Sequence, residues 1–282
     1  MKNGLVLEGG ALRGLFTAGV LDVFLENDVR FDGMVGVSAG AVFGCNFQSR
    51  QLGRTVRYNA RYCRSWRYAS LLSVLLTGNL YGKKFCYRDI PDRLDPFDLT
   101  AFQEDPAEFH LVCTDARTGE AVYHRCGGES REELMEWFRA SASMPIVSRT
   151  VKVGGRELLD GGISDSIPLR YFEGLGYEKN VVILTQPADF QKKKVRFAPL
   201  IRFLLWRYPN VGRILLERHT QYNAQLAYIH AQKTAGHAFV IQPSAPLNIG
   251  PIERDPARIR EVYEIGRTEG RKRLAEVREF LK

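Results

Sequence analysis

The sequence has few cysteines, and they show no pairing pattern. Its 282 residues contain five cysteines, an odd number, and no Cys-x-x-Cys motif. This argues against a disulfide framework and against a tetrahedral zinc site. We therefore expect a reduced, cytoplasmic, soluble protein. No metal ion and no cofactor are expected.

Long apolar runs are also missing. The longest stretches without a charged residue are 33–49 and 68–82, and both contain glycine and polar side chains. A membrane-spanning helix needs about 18 apolar residues or more, so none is expected. A strand-like run already begins at Leu5, which leaves no space for the apolar core of a signal peptide. With 45% apolar and 26% charged residues, the composition is otherwise that of a folded globular protein.

Acidic residues are absent from Gly33 to Arg88, a segment that carries nine basic residues of a chain whose net charge is +8. Six of these recur at intervals of three or four residues and would form one stripe on a helix; they are Arg50, Arg54, Arg57, Arg61, Arg64 and Arg67. A second basic segment, 192–207, mixes lysine and arginine with large apolar residues, as an interfacial helix or a lid does.

Both basic segments favour peripheral contact with an anionic membrane surface. The alternative for each is an ordinary solvated helix whose other face lies in the core. Because no nucleic-acid-binding motif accompanies the positive charge, no nucleic-acid partner is expected.

Short apolar runs alternate with helix-like segments along the chain. Strands are predicted at 4–8, 31–37, 109–114, 151–153, 156–159, 181–185 and 238–242. Continuous apolar strands that alternate with helices indicate an α/β fold with a mainly parallel central sheet. Gly154-Gly155 predicts a two-residue hairpin, and Asp255 followed by Pro256 predicts the start of a C-terminal helix.

The last predicted strand lies near residue 240, so the sheet is expected to recruit chain from both ends. We therefore predict a single domain over residues 1–282. Its motif-bearing core spans about 4–190. The remainder, 191–282, holds the interfacial segment or lid, a further strand and a packing helix.

The segment Gly36-Val37-Ser38-Ala39-Gly40 fits the Gly-x-Ser-x-Gly motif, with an apolar strand before it and a helix-like segment after it. A strand that runs directly into a helix makes a tight turn that exposes the serine, and small neighbours prevent clashes there. The unpaired amides and the dipole of the helix favour a developing negative charge at this position. The pattern predicts a nucleophilic Ser38; the alternative is a serine that only caps the helix.

A glycine-rich turn, GGALRG at residues 9–14, joins the first strand to the first helix. A dinucleotide-binding loop would need glycine at Ala11, and a P-loop would need lysine and serine or threonine after Gly14. The residues do satisfy an oxyanion hole, which needs glycine for close approach but no particular side chain. The alternative is a plain turn between strand and helix.

A serine nucleophile needs a base, which is most often a histidine. The five histidines are His110, His124, His219, His230 and His237, and none lies in a glycine-rich or strand-end turn. The last three remain candidates, because a base can follow late in the chain. Asp160 is the better candidate, since it ends a predicted strand before two glycines and partial burial would raise its pKa from about 3.9. The alternative is that Asp160 only stabilises a turn.

Three motifs, GGALRG, GVSAG about 25 residues later and Asp-Gly-Gly some 120 residues beyond, together resemble the patatin-like phospholipases, in particular their bacterial soluble members. The segment Ala-Ser-Ala-Ser-Met-Pro at 140–145 is similar to the Ala-Ser-x-x-x-Pro segment of that family. The resemblance extends over about residues 4–190. It implies a three-layer α/β/α fold, acyl-ester hydrolysis and a Ser–Asp dyad without histidine.

Carried over residue by residue, the resemblance implies that Ser38 is the nucleophile, that Asp160 is the general base, and that Gly9 and Gly10 belong to the oxyanion turn. The other motif positions are Arg13, Gly14, Gly36, Gly40, Gly161 and Gly162. Arg13 matches a basic position whose role is to bind a ligand phosphate or to form a structural ion pair. Ala11 stands where the family usually has a further glycine, and its amide is retained as a donor if its φ is negative.

The predicted function is hydrolysis of carboxylic esters of lipids through an acyl-enzyme, as by a phospholipase A or a lysophospholipase. Two alternatives stay open. One is a general carboxylesterase or thioesterase that acts on soluble substrates. The other is a non-catalytic lipid-binding regulator on the same scaffold.

Overall fold

Eight strands form one sheet in the computed structural model, which describes residues 1–282. They are β1 (Lys2–Leu7), β2 (Gly33–Val37), β3 (Glu108–Asp115), β4 (Ala121–Cys126), β5 (Val151–Val153), β6 (Arg156–Asp160), β7 (Tyr177–Ile183) and β8 (Ala238–Ile241). The strand order is β5-β6-β3-β2-β1-β7-β8, and β4 also pairs with β3. The five strands from β3 to β8 in this order are parallel, whereas β4, β5 and β6 pair in antiparallel fashion. The mainly parallel sheet is as predicted.

Ten α-helices connect and cover the strands. They are α1 (Gly14–Glu26), α2 (Ala39–Gln48), α3 (Arg54–Tyr62), α4 (Leu71–Thr77), α5 (Leu99–Glu104), α6 (Arg131–Ser141), α7 (Leu169–Gly174), α8 (Ala198–Leu204), α9 (Pro209–Thr234) and α10 (Pro256–Phe280). A π-helical segment, Phe85–Leu94, lies between α4 and α5. None of these helices combines the length and the apolar character needed to cross a membrane.

The side chains of the central strands alternate between two hydrophobic cores, one on each face of the sheet. On β1, Leu5 and Leu7 enter the larger core, and Val6 enters the smaller one. The larger core includes residues of α1, α2, α6 and α10, whereas α7 and α9 cover the opposite face. The three-layer α/β/α prediction is confirmed.

The chain after residue 190 contributes one strand to the sheet and one helix to the layer over the larger core. Strand β8 pairs in parallel with β7. Helix α10 begins as predicted, with the side chain of Asp255 accepting a hydrogen bond from the amide of Ala257 at 2.9 Å. It then packs closely on α1, where a Cβ atom on Gly270 would lie 3.2 Å from Val20 Cα. That residues 1–282 form a single domain stays a prediction.

The structure corrects the predicted arginine stripe. Helix α3 covers only Arg54–Tyr62, so Arg50 precedes it and Arg64 and Arg67 follow it. Four of the six arginines are also paired with carboxylates that follow the acid-free segment in the sequence. Arg54 and Arg57 contact Asp95, and Arg67 contacts Asp89. Arg50 lies 3.8 Å from Asp105. The positive charge is therefore partly neutralised within the fold instead of forming a continuous stripe on one helix.

Candidate active site

Ser38 occupies the sharp turn between β2 and α2 that its motif predicts. Strand β2 ends at Val37 and α2 begins at Ala39, and Ser38 between them has φ 54° and ψ −120°. Such a conformation is rare for a residue other than glycine and is typical of functional sites. The flanking glycines are required sterically, because a Cβ atom on Gly36 would lie 2.6 Å from Ala41 N and one on Gly40 would overlap the carbonyl oxygen of Leu7.

The sheet brings Asp160 to Ser38 across 122 residues of sequence. Strand β3 lies between β2 and β6, with Val112 opposite Val37 on one side and Cys113 opposite Asp160 on the other. Ser38 Oγ donates a hydrogen bond to Asp160 Oδ2 at 2.7 Å. The second carboxylate oxygen, Oδ1, accepts from the amide of Gly162 at 2.7 Å. The predicted pair is therefore in direct contact.

Asp160 is almost fully enclosed, with 1% of its surface exposed. Burial raises its pKa above the ordinary value of 3.8, while the hydrogen bonds from Ser38 and Gly162 and the positive charge of Arg218 act in the opposite direction. Because a carboxylate of higher pKa holds a proton more tightly, this environment makes Asp160 a stronger base than an exposed aspartate.

No histidine lines the cavity that contains Ser38. The ring of His110 bonds to Tyr171 and Glu108, and that of His219 bonds to the carbonyl oxygen of Leu216 in its own helix. The structure thus gives no support to the alternative of a histidine base.

The glycine-rich turn lies directly beside Ser38. The amides of Gly9 and Gly10 donate to no acceptor in the protein. A Cβ atom on Gly9 would lie 2.9 Å from Ser38 Cβ, and one on Gly10 would lie 2.7 Å from Thr185 Oγ1. Two unpaired amides next to the serine are the arrangement that an oxyanion hole requires.

Ala11 does not meet the condition set for it from the sequence. Its φ is 49°, in the left-handed region, and not negative. An alanine there costs roughly 1–2 kcal/mol of backbone strain that glycine avoids. The departure from the family motif therefore falls at a position where the backbone favours glycine.

Ser38, Asp160 and the glycine turn line one cavity of about 590 Å³, within the range of ligand pockets of roughly 300–1,000 Å³. Twenty of its 35 lining residues are hydrophobic. Its apolar part is formed by the larger core and includes Phe43, Tyr58, Ile90, Phe97, Met135 and Phe138. Its polar part includes Glu8, Arg13, Ser166, Lys192 and Arg218. The serine can therefore meet a ligand that has an apolar and a polar end.

Sequence reasoning missed two groups at this site. Ser141 Oγ accepts a hydrogen bond from the amide of Ser38 at 3.0 Å and donates to the carbonyl oxygen of Val112 at 2.7 Å, so it holds the turn in place. Its only sequence signal was its position in segment 140–145. Arg218 enters the cavity from α9, and no motif marks it. Lys192, which also lines the cavity, was noticed only as part of a basic segment.

A possible ligand set for a metal ion lies apart from this cavity. The ligand atoms of His124, Cys126 and Glu129 lie within 4.8 Å of one another. They are already engaged, because His124 Nε2 lies 2.6 Å from Glu129 Oε1 and the imidazole stacks on Trp137. Burial also raises the pKa of the Cys126 thiol, which disfavours the thiolate that binds metals.

Comparison with known proteins gives two family matches. The model of the patatin-like phospholipases matches residues 5–173, and that of a domain of unknown function, DUF6363, matches residues 208–282. The chain is 31% identical to the uncharacterized protein YjjU of Escherichia coli K12, over 98% of this chain and 78% of that protein. It is 25% identical to lysophospholipase nte1 of Aspergillus niger, over 98% of this chain but only 18% of that protein.

Among solved structures, VipD from Legionella pneumophila is similar, with a TM-score of 0.47 and 12% identity, over 98% of this chain and 67% of that one. The chain spans about a fifth of the length of the lysophospholipase relative and most of the length of YjjU. The family model covers more than half of the chain. The resemblance seen in the motifs is thereby confirmed, and the chain belongs to the patatin-like phospholipases, a family of carboxylic ester hydrolases.

Proposed function

We propose that the protein hydrolyses carboxylic esters of lipids through an acyl-enzyme formed on Ser38. The observation that supports this most is the 2.7 Å hydrogen bond from Ser38 Oγ to the buried carboxylate of Asp160, inside a largely apolar cavity. In the first step Asp160 accepts the hydroxyl proton while Ser38 Oγ attacks the ester carbonyl carbon. The oxygen that becomes negative accepts hydrogen bonds from the amides of Gly9 and Gly10.

The attack gives a tetrahedral intermediate. When it collapses, the ester bond breaks and the leaving alkoxide takes the proton from Asp160. A water molecule then gives a proton to Asp160 and attacks the carbonyl carbon of the acyl-enzyme. The bond to Ser38 Oγ breaks, Asp160 returns the proton to that oxygen, and the fatty acid is released. General-base assistance contributes about 10²–10⁴ in rate, and each oxyanion donor contributes about 10²–10³.

The proposed substrate class is that of the phospholipases A and lysophospholipases. The apolar part of the cavity can bury an acyl chain, and each methylene group buried there contributes about 0.8 kcal/mol. A relative bearing the name lysophospholipase matches nearly the whole chain. An esterase for small soluble substrates has no need of such an apolar cavity.

A panel of lipid and soluble esters tests this proposal. We expect kcat/KM to rise with acyl length from four to sixteen carbons, and we expect a fluorophosphonate probe to label Ser38, as read by peptide mass spectrometry. A flat dependence on chain length would favour the general esterase or thioesterase. Absence of both labelling and turnover would favour the non-catalytic lipid-binding regulator.

We also propose that two exposed apolar helices bring the cavity to a membrane surface. Phe203 in α8 is 73% exposed, and Trp206, which follows the helix, is 77% exposed. Basic residues at 196, 202 and 207 lie in and next to the helix. Helix α4 has four exposed leucines, of which Leu75 is 83% exposed. Both helices connect to residues that line the cavity, α4 through Leu80 and α8 through its packing on α9.

The double variant Phe203→Asp/Trp206→Asp is expected to bind vesicles that contain phosphatidylserine about 100-fold more weakly than the wild type. Each large apolar side chain inserted in the interface contributes about 1.5–3 kcal/mol, and each nearby basic residue adds about 1 kcal/mol. Vesicle co-sedimentation measures the effect. Ile265→Asp, on an exposed apolar residue of α10, is the matched control and should bind normally. Unchanged binding of the double variant would remove α8 from the contact.

A further inference from the structure

Three cationic side chains converge on the polar part of the cavity. Arg13 comes from the turn after β1, Lys192 from the segment between β7 and α8, and Arg218 from α9. Twenty ion pairs occur in the structure, and none of the three residues takes part in one. This excludes the structural ion pair considered for Arg13.

The nearby carboxylates are already engaged with other groups. Glu8 accepts from the amide of Thr185 and from the hydroxyl of Tyr222, each at 2.6 Å, and Asp160 is bonded to Ser38 and Gly162. Burial and the positive charge of Arg218 lower the pKa of Lys192 to about 8. The polar part of the cavity therefore holds three cationic side chains and two carboxylates, and neither carboxylate forms an ion pair with any of the three cations.

The two arginines also carry unused hydrogen-bond donors. Arg13 Nε and Arg218 Nε are buried and have no acceptor in the protein. A buried donor without a partner costs about 1–3 kcal/mol, so both guanidinium groups keep hydrogen-bonding capacity that the protein does not use. The planar guanidinium group presents several donors in a geometry that matches phosphate oxygens.

The two guanidinium groups are placed close to the proposed catalytic residues. A Cβ atom on Gly10 would lie 3.1 Å from Arg13 Nη2, and one on Gly162 would lie 3.2 Å from Arg218 Nη2. The guanidinium groups therefore lie beside the oxyanion turn and beside the turn after Asp160.

Lys192 is fixed by its backbone. Its amide donates to Asn223 Oδ1 at 2.9 Å, and its carbonyl oxygen accepts from Asn223 Nδ2 at 3.1 Å. This double contact anchors the backbone of Lys192 on α9, and its ammonium group lies 4.5 Å from the centre of the Tyr222 ring.

We propose that Arg13, Lys192 and Arg218 form a phosphate-binding subsite that holds the phosphate of the ester substrate next to Ser38. The subsite rests on the proposed ester hydrolysis and specifies its substrate as a phosphate-bearing lipid, in preference to a neutral acylglycerol. Lys192 and Arg218 lie outside residues 5–173, which match the patatin-like model, and Arg218 lies in the segment that matches DUF6363. Chain beyond the patatin-like match therefore contributes this specificity. The acyl chain occupies the apolar part of the cavity, and the ester lies between the two ends.

The test compares Lys192→Met and Arg218→Gln with Lys272→Met, which removes an exposed positive charge from α10. Substrates are a lysophosphatidate and a monoacylglycerol with the same acyl chain, both below their aggregation points. We expect each site variant to lose 10–100-fold in kcat/KM for lysophosphatidate, mainly through KM, because charge-assisted hydrogen bonds of that strength are removed. This loss should be at least tenfold larger than that for monoacylglycerol, and Lys272→Met should show no such difference.

Binding of inorganic phosphate, measured by calorimetry, separates the subsite from the catalytic proposal. Weaker phosphate binding by Lys192→Met than by the wild type supports the subsite even in a protein that hydrolyses no ester, in which case ester hydrolysis alone fails. Phosphate binding without a preference for lysophosphatidate would assign the subsite to free phosphate and overturn the headgroup role. Equal losses for both lipids, or phosphate binding unaffected by either variant, would overturn the subsite.

Discussion

Ser38→Ala is expected to lower kcat/KM for every ester substrate by at least about 10⁴-fold. The substitution removes the proposed nucleophile, so the proposed general base and oxyanion amides have no attacking oxygen to assist. Residual turnover would come from water attacking the bound ester. Initial rates on the lipid and ester panel, with active protein quantified independently, measure the loss.

The same variant should fold. Alanine at position 38 has the same positive φ as serine, so the strain of the turn is unchanged. Asp160 loses one donor, which lowers the free energy of unfolding by about 1–3 kcal/mol at neutral pH and by less in acid, where the carboxyl is protonated. Ser49→Ala removes a buried hydroxyl just after α2 and is the matched control. Turnover by Ser38→Ala within tenfold of the wild type would mean that another group is the nucleophile.

The order of elements was predictable because each local signal was strong. Seven of the eight strands lie close to their predicted places, and the hairpin at Gly154-Gly155 has the positive φ at both glycines that its turn requires. Strand β4 was missed because it is a sheet edge with partly exposed tyrosine, histidine and arginine side chains instead of an apolar run. A strand without an apolar pattern offers no signal of this kind.

The contact of Ser38 with Asp160 was inferred from motifs and not from topology. The sequence pattern does not predict that β3 lies between β2 and β6. This strand order brings the turn at Ser38 and the turn at Asp160 to the same end of the sheet. The family motifs encode that order indirectly, which is why the pair could be named before the sheet was known.

Long-range pairing of charges was not predictable. The arginine spacing suggested a helical stripe, but spacing carries no information about partners such as Asp89 and Asp95. The same limit hid Arg218, whose helical context resembles that of any solvated arginine. That Arg218 donates to the hydroxyl of Ser166 and pairs with no carboxylate is visible only in three dimensions.

Asp160→Asn is expected to lower kcat by about 10²–10⁴-fold, the contribution of a general base, and at the same time to raise the free energy of unfolding at pH 7. Burial raises the pKa of Asp160 in the folded state. The stability that this carboxyl contributes is therefore present below its ordinary pKa and is lost as pH rises through the folded-state value. At pH 7 the wild type keeps a buried charge that asparagine replaces with a neutral amide.

Urea unfolding at pH 7 and at pH 4 measures this stability difference, which should shrink at the lower pH because the wild-type carboxyl takes up a proton there. In the wild type, kcat/KM should fall with acid over a range above pH 3.8, since only the carboxylate form accepts the proton of Ser38. The residual rate of the variant should lack this dependence.

Asp165→Asn is the matched control, because burial also raises the pKa of Asp165 but its partners are Tyr123 and Gln225 and not Ser38. It should retain turnover, so a loss confined to Asp160→Asn separates the proton acceptor from the general effect of removing a buried charge. Normal turnover by Asp160→Asn would remove this carboxylate from the mechanism. A variant that is both inactive and less stable than the wild type at pH 7 would show instead that the ionised carboxylate supports the fold, and the loss of activity would then follow from the altered turn.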